Sequence, residues 1–373
     1  MNKIGENTFG APLNASERKL LSIIRQLGPI ARSEVTAHSG LSQQSVHRLI
    51  DNLQSKGFLR FRSATIKGRG KPSPLVEINQ DTFVSLGLSF TTEKVLACLL
   101  DLKGAPLIEC ELDVHPNNPT AVLDVLEAKI ADWTVAELKN RRMIGVGIAM
   151  QGYRTGAADQ FETPTLLENW QNLELIPLFQ DRFELPVFTE NNATSCATAE
   201  FYLGGAAEHS CFVYLSFNYG YGAGLYWQNK PVQGGHGNAG EIGSIYRPED
   251  TFHRPALGEL LKRMQIQGHA IAHISELPNY FSEDLPVISD WVQEVGPYLR
   301  QSLAAFKGVL DPTAIFFGGE APSGLRRALI NEANADDRIV HGPDPMLIES
   351  GIQGDAAHVG AAFLPLHQLI FRN

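Results

Sequence analysis

With 373 residues, the chain is long enough for two or three domains with substantial apolar cores, which excludes a peptide hormone, a staple-dependent miniature or a simple linker. Hydrophobic residues make up 43% and charged residues 19%, a globular profile, so long disorder is expected only in the first dozen residues. The net charge of -10 conceals an asymmetry: residues 1–80 hold 12 Lys or Arg against 5 Asp or Glu, a net of +7, and the remainder carries -17. A basic head on an acidic body suits a chain of which one end meets a polyanion.

The four cysteines, Cys98, Cys110, Cys196 and Cys211, form no CxxC or CxC pair, so buried free thiols are expected rather than a thiolate metal site or a redox pair. No basic-then-apolar leader opens the chain and no apolar run reaches membrane-spanning length. A cytoplasmic location with no membrane partner is the expectation.

From Ser16, "SERKLLSIIRQLG" places Leu20, Leu21, Ile23, Ile24 and Leu27 on one helical stripe, with Ser16 as N-cap and Gly28 as stop. "ARSEVTAHSG" predicts a short helix closed at Gly40. "LSQQSVHRLIDNLQSKGFL" predicts a third, capped by Ser42 and ending at Gly57. Two helices joined by a tight glycine turn are the helix-turn-helix signature. With Leu41, Val46, Leu49, Ile50 and Leu53 turned inward, Gln43, Gln44, Ser45, His47 and Arg48 are left to meet base edges or phosphates. Then "FLRFRSATIKGRGKPSPLVEIN" reads as two short strands around a cationic wing, whose Arg60, Arg62, Lys67, Arg69 and Lys71 would neutralise phosphates.

After the wing, "VSLGLSF", "KVLACLLDL" and "PLIECELDV" outline three strands, "NNPTAVLDVLEAKIADW" changes to helical spacing, and "RRMIGVGIAMQG" returns to a buried strand. A similar succession recurs in "HSCFVYLSFNYGYGAGLYWQ", "ISDWVQEVGPYLRQSLAAFKGVLDP" and "TAIFFGGE". Two such units predict two α/β lobes with a ligand crevice between them.

At this point nearly the whole chain resembles the ROK family, named for repressors, open reading frames and kinases, and within it the transcriptional-regulator branch. The resemblance is carried by "GRGKPSPLVEIN", "RRMIGVGIAMQG", "FTENNATSCATAE", "GAGLYWQNKPVQGGHGNAGEIGS" and "IFFGGE". It implies an α/β protein in which a winged helix-turn-helix, residues 1–80, precedes a two-lobed actin-like, ribonuclease H-like sugar-kinase fold. The first lobe is expected over 81–193, completed by a C-terminal helix at about 352–373, and the second over 194–351. Double-stranded operator DNA and a sugar or related effector are the implied partners, with the chain acting as a homodimer or a tetramer.

The same resemblance marks departures. Family kinases carry an Asn-Asp pair whose Asp is the base toward a sugar hydroxyl; here Asn191 is followed by Asn192, and an amide is not a base at neutral pH. Ser89, Thr91, Thr92 and Glu93 stand where the first phosphate loop has Asp, Gly, Gly and Thr, and "NYGYGAG" lacks the threonine of the second. Ser244 replaces the histidine after GEIG, and no cysteine cluster follows, so neither zinc nor any other cofactor is expected. Asn191, Asn192 and Glu241, with His236 nearby, are the implied ligand residues. Trp170 is expected in the core. The resulting expectation is a sugar-responsive repressor without catalytic activity. The alternatives are a bifunctional kinase and regulator, or a DNA-binding protein whose body only binds partners.

Overall fold

A computed structural model describes residues 12–63, 74–138, 141–156, 159–282, 285–335 and 342–371. Lys67, Arg69 and Lys71 lie outside the described residues.

The basic end folds as helices α1 (Ala15–Leu27), α2 (Arg32–Ser39) and α3 (Gln43–Ser55) with strands β1 (Ile30–Ala31), β2 (Leu59–Arg62) and β3 (Leu75–Ile78), in the antiparallel order β1-β3-β2. The cap of α1 is Asn14, not Ser16. Asn14 Oδ1 accepts from Glu17 N at 3.0 Å, and Asn14 N donates to Glu17 Oε2 at 2.8 Å. The correction has a local cause: Glu17 stands three residues after Asn14 and completes a capping box, whereas Lys19 stands three after Ser16. Buried Glu17 also accepts from Asn52 Nδ2 at 2.7 Å and Lys56 Nζ at 2.9 Å, tying α1 to α3. Ser42 caps α3 as expected, and Val46, Ile50 and Leu53 turn into the core.

The body contains two five-stranded sheets built alike. The first runs β10-β7-β4-β5-β6, from β4 (Phe83–Phe90), β5 (Val95–Asp101), β6 (Pro106–Leu112), β7 (Arg142–Met150) and β10 (Val187–Asn191). A small hairpin, β8 (Tyr153–Arg154) and β9 (Phe161–Glu162), follows β7. The second runs β13-β12-β11-β14-β15, from β11 (Cys211–Phe217), β12 (Tyr221–Trp227), β13 (Lys230–Pro231), β14 (Ala314–Gly319) and β15 (Met346–Glu349). In each, the first strand pairs antiparallel with the next and parallel with a later one, after a helical crossover.

Among the helices, α4 (Pro119–Trp133) and α5 (Leu175–Phe183) belong to the first sheet's half, and α7 (Leu257–Ile266), α8 (Leu277–Tyr280), α9 (Pro286–Leu310) and α10 (Ser323–Ala333) to the second's. Between the halves run α6 (Asn192–Leu203) and α11 (Ala357–Leu366). Helix α11 lies against β4, β7 and α6. Three glycines permit that closeness, because a Cβ at Gly87, Gly147 or Gly360 would overlap the carbonyls of His358, Ala361 and Ser195 respectively.

The head is docked on the end of this helix. Arg18 Nη1 donates to Gln368 O at 2.8 Å, Ser22 Oγ to Phe371 O at 3.1 Å, and the Arg25 guanidinium lies 4.4 Å from the Tyr202 ring centre. Apolar side chains of head and body, including Leu20, Ile24, Phe363 and Ile370, form one cluster. The four cysteines are free thiols, three buried and Cys110 half-buried. Among the described residues no helix is long and apolar enough to cross a membrane.

Candidate functional site

Strand β10 ends where α6 begins, and this junction delivers the two amides. Asn191 caps α6, its Oδ1 accepting from Ala193 N at 2.7 Å. Its Nδ2 donates to Gly152 O at 2.6 Å and Glu241 Oε1 at 3.3 Å, joining the junction to the loop after β7 and to the GEIG segment. Asn192 is buried and donates through Nδ2 to Phe90 O at 3.0 Å, while its Oδ1 has no hydrogen-bond partner. Gln151 Oε1 is likewise buried without a partner.

These groups line a cavity of about 240 Å³ with the Tyr219–Gly222 turn, Asn218, Glu241 and Arg254. Burial pushes the Glu241 carboxyl up to about 7. Near neutral pH it can donate when protonated and accept when ionised. Two acceptors without donors and one adjustable carboxyl suit a ligand carrying several hydroxyls.

Three of the four expected ligand residues, Asn191, Asn192 and Glu241, therefore meet in one cavity. The fourth does not. His236 lines a separate hollow of about 740 Å³ with Arg154, Glu190, Gln233 and Gln368. Proximity in sequence misled here, because the chain reverses at Gly237 and Gly240, both with positive φ, between His236 and Glu241. Glu190 also faces that hollow, as strand alternation requires: its Oε2 accepts from Gln233 Nε2 at 2.8 Å and its Oε1 lies 3.4 Å from Arg154 Nη2.

Glu93 is engaged across the cleft rather than left facing a phosphate. It accepts from Ile274 N at 2.6 Å and Ser275 Oγ at 2.8 Å, linking the β4–β5 turn to the other half. Trp170 is a core residue, donating through Nε1 to Pro116 O at 2.6 Å and packing 4.5 Å from the Phe90 ring. His253 pairs with Glu294 at 2.6 Å. Among the described residues no three His, Cys, Asp or Glu side chains are placed to hold a metal.

On the head, Gln43, Gln44 and Arg48 are exposed along α3, with Ser45 and His47 half-buried beside them. Ser45 also binds its own cap, its backbone N donating to Ser42 Oγ at 3.2 Å. Arg62 is exposed, but Arg60 is held by Glu77 at 2.7 Å and Asp81 at 2.6 Å, so its charge is largely compensated within the fold.

Arg254 is not among the residues expected from sequence, because nothing in the local pattern of "FHRPA" separates it from a surface cation. Its available signal was a cation in the stretch that follows GEIG.

The paired five-stranded sheets with a cavity at the strand ends define a two-lobed α/β protein of sugar-kinase type. The ROK family profile matches residues 85–364, and the chain belongs to that family. It is 26% identical to the xylose repressor of Bacillus spizizenii over 243 residues, 65% of this chain and 62% of that protein, so the matched stretch spans less than two thirds of the relative's length. Among solved structures it superposes on a ROK family transcriptional regulator, a homolog of the E. coli MLC protein, with a TM-score of 0.72 and 22% identity, covering 95% of this chain and 96% of the other. It also superposes on a ROK family glucokinase from Streptomyces griseus in complex with glucose and AMPPNP, with a TM-score of 0.61 and 21% identity, covering 75% of this chain and 98% of the kinase.

That last likeness corrects the expectation of a non-enzyme. The three altered segments differ residue by residue, yet the superposition covers 98% of the kinase chain. Changes at Ser89, Asn192 and the Tyr219–Gly222 turn do not remove that frame, so exclusion of catalysis does not follow from them.

Proposed function

We propose that this chain is a DNA-binding transcriptional regulator, acting as a repressor, whose body binds a sugar or sugar-derived metabolite at Asn191, Asn192 and Glu241. Residues 1–80 would be a winged helix-turn-helix with α3 as its recognition helix. The body would be an 81–193 lobe, completed by the C-terminal helix, and a 194–351 lobe, and two chains would present two heads to a symmetric operator.

The observation that carries this reading is a continuous chain of contacts from the cavity to the head. Asn218, in the cavity wall, donates through Nδ2 to Asp355 Oδ2 at 2.6 Å, and Asp355 Oδ1 accepts from Ala357 N at 2.7 Å where α11 starts. The far end of α11 leads to Gln368 and Phe371, whose carbonyls are bound by α1. A ligand that favours one arrangement of Asn218 would bias the seat of the head, provided that its affinity differs between the two states. The repressor and regulator named among the similar proteins support the same reading.

The experiment is titration calorimetry of the full chain with a sugar panel. Asn192→Ala removes the unsatisfied acceptor and should weaken sugar binding about 10-fold, with DNA affinity in the absence of sugar within about 3-fold of the original. Equal sugar isotherms for the original and the variant would remove Asn192 from the site.

A second reading, sugar phosphorylation, is favoured by one observation. Glu241 sits in the same cavity with its carboxyl pushed up to about 7, a value suited to accepting a hydroxyl proton. ATP-dependent product formation with the same panel, lost in Glu241→Gln, would support it; no turnover with a sugar that binds would refute it.

A further inference from the structure

Within the sugar-binding cavity, on which this inference rests, one cation is left without an anion. Arg254 lines the cavity, its Nε is buried and has no hydrogen-bond partner, and no carboxylate among the described residues pairs with its guanidinium. The acid bound by the adjacent His253 is already engaged elsewhere. Glu294 is taken by Arg263, at 2.6 Å to each of two guanidinium nitrogens, and by His253 at 2.6 Å. Arg154, the other arginine close to the amide junction, is bound to Thr189 O at 2.6 Å and faces the separate hollow.

A partly buried guanidinium with an unsatisfied donor costs free energy unless something arrives to satisfy it. Arginine presents a planar fork of donors that matches carboxylate and phosphate oxygens. In the same lining, Asn192 Oδ1 and Gln151 Oε1 are without donors, which hydroxyls supply. Acceptors without donors and a cation without an anion in one lining suit a ligand that carries both hydroxyls and negative charge.

We propose that the ligand of this cavity is an anionic monosaccharide derivative, a sugar acid or a sugar phosphate, whose negative group is received by Arg254 while Asn192 and Gln151 accept from its hydroxyls. The cavity of about 240 Å³ lies below the usual range for drug-sized ligands and suits one sugar ring or open chain. Glu241, the carboxyl in the same lining, holds its proton to about pH 7 and so does not cancel the arginine's charge in mildly acidic solution.

The test is calorimetry on the full chain at fixed ionic strength with glucose and xylose, gluconate and glucuronate, glucose 6-phosphate, and inorganic phosphate alone. The expected result is that one charged arm binds at least 10-fold more tightly than either neutral sugar, and the arm that does so identifies carboxylate or phosphate as the anion. Arg254→Gln should remove that advantage while changing neutral-sugar affinity less than about 3-fold, and Arg254→Lys should restore part of it. An unchanged thermal unfolding midpoint in both variants separates lost recognition from lost folding.

Neutral sugars binding as tightly as charged ones, with no effect of Arg254→Gln, would overturn this inference and leave the sugar reading standing. Inorganic phosphate binding as tightly as glucose 6-phosphate would overturn it too, by showing an anion site without sugar recognition. No binding in any arm would overturn both.

Discussion

Gly360→Ala should destabilise the protein by about 3 kcal/mol, a large effect for the addition of one methyl group. The added Cβ would run into the Ser195 carbonyl and the backbone atoms beside it, where α11 crosses α6. Backbone cannot rotate away as a side-chain tip can, so the two helices must separate. Both carry burdens beyond packing: α6 begins at the amide junction, and the C-terminal extension of α11 holds α1 of the head. The variant should therefore lose ligand affinity as well as thermal stability. Gly308→Ala is the control. Gly308 is also helical, but exposed with nothing near its Cβ position, so alanine there should be neutral or stabilise by up to about 1 kcal/mol. Thermal unfolding followed by circular dichroism compares them, and equal midpoints would contradict the close helix crossing.

The second large effect is expected on DNA. Arg48→Ala should weaken binding to a selected operator by about 1–3 kcal/mol per recognition helix and relax the choice of base at one position. Arg62→Ala should act differently, lowering affinity for all duplexes alike and reducing the slope of log affinity against log salt by about 1. The contrast comes from position: Arg48 is exposed on α3, whereas Arg62 is exposed at the end of β2. Arg60→Ala should have the smaller DNA effect of the two β2 arginines, since Glu77 and Asp81 already hold it. Fluorescence anisotropy with specific and random duplexes at several salt concentrations distinguishes these outcomes, and identical behaviour of the Arg48 and Arg62 variants would remove α3 from base recognition.

Much of the architecture was legible because it follows from short-range patterning. The strands at 83–90 and 95–101 are largely apolar runs, that at 106–112 alternates apolar residues with Glu109 and Glu111, and the helix at 119–133 changes period at Pro119. Capping was less legible: Ser16 is a favoured cap residue, but the pair Asn14 and Glu17 satisfies two backbone donors at once. The amide pair and Glu241 could be brought together through family resemblance. His236 could not be placed that way, since two glycine reversals turn it into another hollow.

What stayed hidden depends on long-range contacts. Nothing local in "TTEK" says that Glu93 will accept from backbone at residue 274, and nothing local in "FHRPA" says that Arg254 will reach the cavity without an acidic partner. Those facts are set by how the two halves meet. The enzyme question shows the same limit, because three altered segments suggested lost chemistry while the frame around them was kept.

The most direct measurement is selection of genomic DNA fragments by the full chain, followed by anisotropy on the best fragment with and without the cavity ligand found by calorimetry. A single enriched duplex motif is expected, with at least a 10-fold change in its affinity on adding ligand and no such change in Asn192→Ala. Enrichment of no motif, or an operator affinity indifferent to a ligand that demonstrably fills the cavity, would contradict the coupling of head to cleft.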